Sequence, residues 1–179
     1  FFYVGAQIMC WTFIIQYGTR IFMEAGMGEK EAEVLSQRYN IVAMVLFCSC
    51  RFLCTFLLKY FRPSALLRTL AIAGILLTVG VILFQDIWGL YCLVAVSGCM
   101  SLMFPTIYGI ALDGMGEDAK FGAAGLIMAI LGGSILPPLQ AAIIDCGTVW
   151  HHPAVNVSFI LPMICFAVIA VYGQRRLRR

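Results

Sequence analysis

Between Ile87 and Ile144 the sequence permits very few folds. Ile87 to Leu112 carries no charge; Asp113-Gly114-Met115-Gly116-Glu117-Asp118-Ala119-Lys120 gathers four charged residues; Phe121 to Ile144 is again uncharged. Each arm exceeds the roughly 20 apolar residues that cross a hydrocarbon core of about 30 Å. The short link holds the groups that cannot stay in lipid unpaired. The stretch is therefore predicted to be a membrane-spanning helical hairpin. Its arms carry residues that break regular helix: Phe104-Pro105-Thr106 in one, Gly132-Gly133 and Pro137-Pro138 in the other. Proline lacks a backbone donor and its ring clashes with the preceding turn, so both arms are expected to bend. Backbone carbonyls freed at membrane depth are tolerated only against protein or a watery cavity. Bent spans are what a solute pathway needs.

The rest of the chain fits this reading. Of its 179 residues 62% are hydrophobic and 12% charged, against about 45–50% and 25% in soluble domains. The net charge of +3 is too small to point to nucleic acid, and no such partner is expected. Of the eight cysteines, Cys10, Cys48, Cys50, Cys54, Cys92, Cys99 and Cys165 lie inside apolar segments, and only Cys146 in a loop. No Cys-x-x-Cys pair occurs, and the two histidines, His151 and His152, lie far from any cysteine cluster. A metal site or cofactor is not expected; the cysteines read as small buried apolar residues. The chain opens on Phe1-Phe2-Tyr3, already apolar and without a basic leader. The expectation is a fragment cut inside or just before a span rather than a signal peptide.

Six spans are predicted, at about 1–19, 39–60, 64–84, 87–112, 121–144 and 153–174. A charged loop covers Arg20 to Arg38, with a short surface helix around Glu29–Gln37. Six spans put both ends on one side. Of the alternate loops, one set holds Lys59, Arg62, Arg68, Lys120, Arg175, Arg176, Arg178 and Arg179; the other holds only Arg20, Lys30 and Arg38. The basic excess marks the cytoplasmic side, so the C-terminus is expected there, its arginines serving as a headgroup anchor. The Arg20–Arg38 and His151-His152 loops are expected to face outward.

Helix faces carry further information. Ser97, Ser101, Pro105 and Gly109 recur every four residues, as do Gly125, Ala129 and Gly133, so each set forms one small face. Close helix packing is the readier reading of each face taken singly; the Pro and Gly-Gly breaks favour a pathway lining for the fourth and fifth spans together. In the first span Tyr3, Gln7 and Trp11 share a face. An amide in mid-membrane needs partners. It either ties two helices together or, between aromatic rings, meets the hydroxyls of a sugar whose apolar face stacks on the rings. Arg51 is the charge well inside a span, a functional position by default. A structural or gating ion pair with Asp113, Glu117 or Asp118 is the expected role. Every carboxylate lies in a loop or at a span end, so a proton-coupled carrier would draw its midplane acid from elsewhere.

Several of these pieces stand in register with a known family. Tyr3-Val4-Gly5-Ala6-Gln7 with Cys10-Trp11, Met100-Ser101 through Phe104-Pro105-Thr106-Ile107, Gly116-Glu117-Asp118-Ala119-Lys120-Phe121-Gly122, Gly132-Gly133 and Cys165-Phe166-Ala167-Val168 resemble the C-terminal half of the fucose permease branch of the major facilitator superfamily. The resemblance covers nearly the whole chain. It implies an all-α membrane protein, one half of a twelve-helix carrier whose halves rock around a midplane site. Such carriers import L-fucose, glucose or galactose with protons across the bacterial inner membrane. The resemblance further implies that the first, second, fourth and fifth spans face the cavity, with the third and sixth outside. It also implies that the coupling carboxylates belong to a missing N-terminal six-helix half. Gln7, Trp11 and Phe104, with Tyr3 and Ser101, are the expected sugar-binding residues; Arg51 and Asp113 the gating or structural charges; Pro105, Gly132, Gly133 and Pro137 the kink positions. The chain departs from the family at Cys50-Arg51-Phe52-Leu53-Cys54, where a Gly-Arg-x-x-x-Gly-like setting is usual. Two other classes stand beside this reading. A six-span membrane enzyme would need a nucleophile–base pair or metal ligands at depth, and the histidines lie in an outer loop. A non-transporting scaffold or regulatory half-transporter stays open.

Overall fold

The computed structural model describes residues 1–149 and 152–177. Trp150 and His151 of the loop before the sixth span and Arg178 and Arg179 of the basic tail lie outside the described residues. The chain is helical: α1 Phe2–Glu24, α2 Glu29–Leu57 and α3 Pro63–Leu83, then the fourth span as α4 Ile87–Met100 and α5 Met103–Leu112. The fifth span is α6 Ala119–Met128, a 3₁₀ turn Ala129–Leu131 and α7 Gly132–Asp145; the sixth is α8 Ala154–Ser158 and α9 Ile160–Leu177. A two-residue antiparallel pair, β1 Thr148–Val149 with β2 His152–Pro153, closes the loop between the fifth and sixth.

Two features of the charged first loop differ from expectation. There is no separate surface helix at Glu29–Gln37; those residues are the first turns of α2. At 29 residues and about 1.5 Å per residue, α2 outruns the hydrocarbon core, so Glu29, Glu31 and Glu33 project beyond it while the helix stays continuous. The loop itself shrinks to the residues around Gly26, whose φ of 94° ends α1 in a conformation that favours glycine.

The fourth and fifth spans are interrupted near the predicted breakers. At Ser101-Leu102 the ladder tightens, with the Ser101 amide donating to the Gly98 carbonyl at 3.2 Å. Pro105, one turn on, has no amide to return to Ser101. The 3₁₀ turn at Ala129–Leu131 directly precedes Gly132-Gly133. Pro137 and Pro138 stay inside α7.

Among the described residues five helical segments are long and apolar enough to cross a membrane: Glu29–Leu57, Pro63–Leu83, Ile87–Leu112, Gly116–Asp145 and Ala154–Arg175. The first predicted span is the exception. α1 has the length, at 23 residues, but Tyr3, Gln7, Thr12, Gln16 and Tyr17 lower its hydropathy. The packing explains how it holds its place. α1 sits centrally and contacts α2, α4, α7 and α9; Ala6, Met9, Cys10, Ile14 and Tyr17 are fully buried. Its packed face is screened by those neighbours, while Thr12 and Gln16 lie on an exposed flank of the same helix. α3 packs most extensively on α9, where Gly74 admits the Phe166 ring and Gly173 meets the backbone of Arg68. At the other extreme α2 exposes Ile41, Val42, Val45, Phe52 and Phe56, a surface suited to hydrocarbon and not to water. The chain is an all-α, multi-pass membrane protein.

Candidate substrate-facing site

The expected site residues lie along one seam between α1 and the interrupted fourth span. Tyr3, Gln7 and Trp11 follow at successive turns of α1, as the helical period requires. At one end the Trp11 indole N–H donates to the Ser97 hydroxyl at 3.3 Å. Its ring meets Phe47 of α2 edge-on, 4.9 Å between centroids. At the other end the Tyr3 hydroxyl donates to the Met100 carbonyl at 2.9 Å, and its ring lies 5.8 Å from that of Phe104. Phe104 continues to Tyr108 at 6.3 Å. Gln7, half-buried, sits between the two ends.

Accessibility divides this set. Gln7, Trp11 and Phe104 are half-buried; Tyr3 and Ser101 are buried. The Ser101 hydroxyl has no hydrogen-bond partner among the described residues. Tyr3 and Phe104 also wall an apolar cavity of about 190 Å³ with Ile107, Leu126, Val168 and Tyr172. That cavity has no polar convergence of the kind that orients a hydroxylated solute.

The small-residue faces resolve unequally. A β-carbon on Gly5 would collide with the Leu136 side chain and crowd the Gly132 carbonyl oxygen; one on Gly133 would collide with Ile8. Close helix approach is therefore the role of Gly132 and Gly133 against α1. Gly109 and Gly125 face open space.

The expected charge pair does not form. Arg51 and Asp113 are both exposed, and among the described residues the ion pair within 4.0 Å is Arg20–Glu24, at 2.8 Å. Asp113, Glu117 and Asp118 thus make no salt bridge to Arg51. A long side chain two turns from a helix end reaches the interface by itself and needs no carboxylate there.

Sequence reasoning missed a polar knot at the opposite end of α1. The Tyr17 hydroxyl donates to the carbonyls of Phe84 at 2.7 Å and Val81 at 3.1 Å. The Asn156 amide donates to the same carbonyls, at 3.4 and 3.1 Å. The Asn156 Oδ1 accepts from Arg20 Nη1 at 2.9 Å. A smaller tie joins Gln140 Nε2 to the Ser158 hydroxyl at 3.0 Å. The signal was present. Asn156 and Gln140 are amides in apolar segments, and the rule that singled out Gln7 applies to them equally.

The chain matches no family model. It is 56% identical over 174 residues to the L-fucose-proton symporter of Haemophilus influenzae, covering 97% of this chain and 39% of that protein. It is 30% identical over 178 residues to the L-fucose-proton symporter of Escherichia coli, covering 98% and 38%. To the glucose/galactose transporter of Brucella abortus it is 30% identical over 173 residues, covering 97% and 39%. The chain thus spans about two fifths of the length of these curated relatives. The crystal structure of the major facilitator superfamily transporter FucP in the outward conformation superposes on 98% of the chain, and on 40% of its own length. The TM-score is 0.85 and the identity 29%. The proteins it resembles are transporters, not enzymes. Fold, interrupted spans and sequence likeness agree: the chain is a C-terminal-half-like portion of a major facilitator superfamily transporter, similar along nearly its whole length to L-fucose-proton symporters.

Proposed function

We propose that the chain forms the C-terminal half of a sugar–proton symporter of the bacterial inner membrane, with its C-terminus in the cytoplasm. The observation that carries this is the seam just described, on a chain matched along 97% of its length by a protein named L-fucose-proton symporter. Gln7 and Trp11 are half-buried on one face of a polar, central α1. The indole is held by Ser97 and Phe47, and Phe104 stands across the seam. A monosaccharide fits this chemistry: aromatic faces take its C–H surface and the Gln7 amide takes its hydroxyls. Tyr3 and Ser101 form the support behind that wall. Arg51 and Asp113 act singly, at membrane interfaces.

The coupling acid is contributed by the N-terminal half, because every carboxylate of this chain lies in a loop or at a span end. L-fucose is the first sugar to test, since identity is 56% to the Haemophilus L-fucose carrier and 30% to the glucose/galactose carrier. The test is uptake of labelled L-fucose by vesicles containing this chain with the N-terminal half of the Haemophilus symporter. Uptake that a protonophore abolishes, with none from this chain alone, is expected. Uptake by this chain alone would sink the proposal, as would no uptake from a pair that assembles.

A further inference from the structure

Two tyrosines hold α1 at its two ends. Tyr3 donates to the carbonyl of Met100, the last residue of α4 before the interruption. Tyr17 donates to Val81 and Phe84, in the last turn and at the C-cap of α3. Helix ends leave carbonyls without a following turn to satisfy them, and each tyrosine serves such a group. The tyrosines are 14 residues apart, close to four turns and about 21 Å along the axis. They therefore project from nearly the same side of α1. Gln7 and Trp11 lie between them, displaced to one flank of that side.

Inside a bilayer the lipid tails are as apolar as the neighbouring helices, so no hydrophobic drive sets the rotation of a helix. Close packing and polar contacts set it together, and the polar contacts hold firmly because their acceptors find no water in exchange. We propose that Tyr3 and Tyr17 are positioning residues that fix the rotation of α1 and hence the presentation of Gln7 and Trp11. The inference rests on the sugar-facing reading of Gln7 and Trp11. Asn156 and Arg20 brace the Tyr17 end; towards the other end Tyr3 is joined by the Trp11 indole N–H, which donates to Ser97.

The test uses the carrier assembled from this chain and an N-terminal half, with Tyr3→Phe, Tyr17→Phe and the double variant. The rings remain and only the hydroxyls go. The double variant is expected to raise the KM for sugar about five- to tenfold, the equivalent of one lost hydrogen bond in presentation, with maximal uptake nearly unchanged. In a cysteine-free background an impermeant maleimide should label Gln7→Cys more slowly by a similar factor. A loop control, Met27→Cys, should label as before. An unchanged KM with unchanged Gln7→Cys labelling overturns the proposal. So does a loss of maximal uptake in which both cysteines change alike, since that reports general unfolding. If Gln7→Ala and Trp11→Ala leave KM unaltered while Gln7→Cys labelling still shifts in the double variant, the sugar-facing reading fails and the positioning role stands.

Discussion

Gly89 and Tyr17 compete for one volume. The phenol oxygen of Tyr17 occupies the place where a β-carbon on residue 89 would lie, and the Phe84 carbonyl crowds the same spot. The bond from Tyr17 to Phe84 at 2.7 Å therefore depends on a glycine in α4. Gly89→Ala is expected to push the phenol away, with an overpacking penalty of about 1–3 kcal/mol. Tyr17→Phe should lose about 1 kcal/mol, because Asn156 still donates to both carbonyls. The double variant should fall short of the sum, since the colliding hydroxyl is gone while the backbone contact remains. Thermal unfolding of the purified chain in detergent reads all three; strict additivity would refute the shared volume.

Glycines of similar sequence context are expected to differ sharply. Gly5→Ala meets the Leu136 side chain and the Gly132 carbonyl, and should destabilise by about 1–3 kcal/mol. Gly125→Ala and Gly109→Ala meet nothing within 4 Å. They should be neutral or gain up to about 1 kcal/mol from better helix propensity. The same unfolding measurement separates them. Equal losses at all three would mean that α1 and α7 are not in close contact through Gly5.

That contrast shows what the sequence carries and what it withholds. Five long apolar helices fall on the charge-poor runs, because lipid penalises charge whatever the tertiary structure. Pro105 and Gly132-Gly133 marked the interruptions because proline and glycine act on the backbone locally. The small-residue periodicity was also local, but its meaning was not. Gly125 and Gly133 lie on one predicted face, and only the approach of α1 decides that Gly133 is packed while Gly125 is open. The start of α2 was misplaced because charged residues signal departure from the membrane, not departure from the helix. The tyrosine contacts were out of reach for a different reason. Their acceptors are backbone carbonyls 67 and 97 residues away, and a carbonyl has no sequence signature. Gln7 and Trp11 were singled out by residue type and period; whether a sugar meets them rests on the uptake experiment.

Two buried amides should respond unequally to removal. Asn156, 1% exposed, accepts from Arg20 Nη1 at 2.9 Å, beside the Arg20–Glu24 pair, and bridges α3, α8 and α1. Gln140, 0% exposed, makes one bond to Ser158 at 3.0 Å, and its Oε1 has no partner among the described residues. Asn156→Ala strips an acceptor from a cation and a donor from two carbonyls. Hydrogen bonds to charged groups contribute about 1.5–3 kcal/mol, and a loss in that range is expected. Gln140→Met keeps the volume and removes a group that is already half unsatisfied. Because Ser158 retains its own bond to the Val155 carbonyl at 2.7 Å, no new orphan donor is created. The change should then lie within about 1 kcal/mol of the parent, on either side. Unfolding temperatures in detergent, measured side by side, decide the matter. A severe loss from Gln140→Met would mean that its free oxygen has a partner in the membrane-embedded protein; a negligible loss from Asn156→Ala would mean that the knot at the end of α1 does not hold.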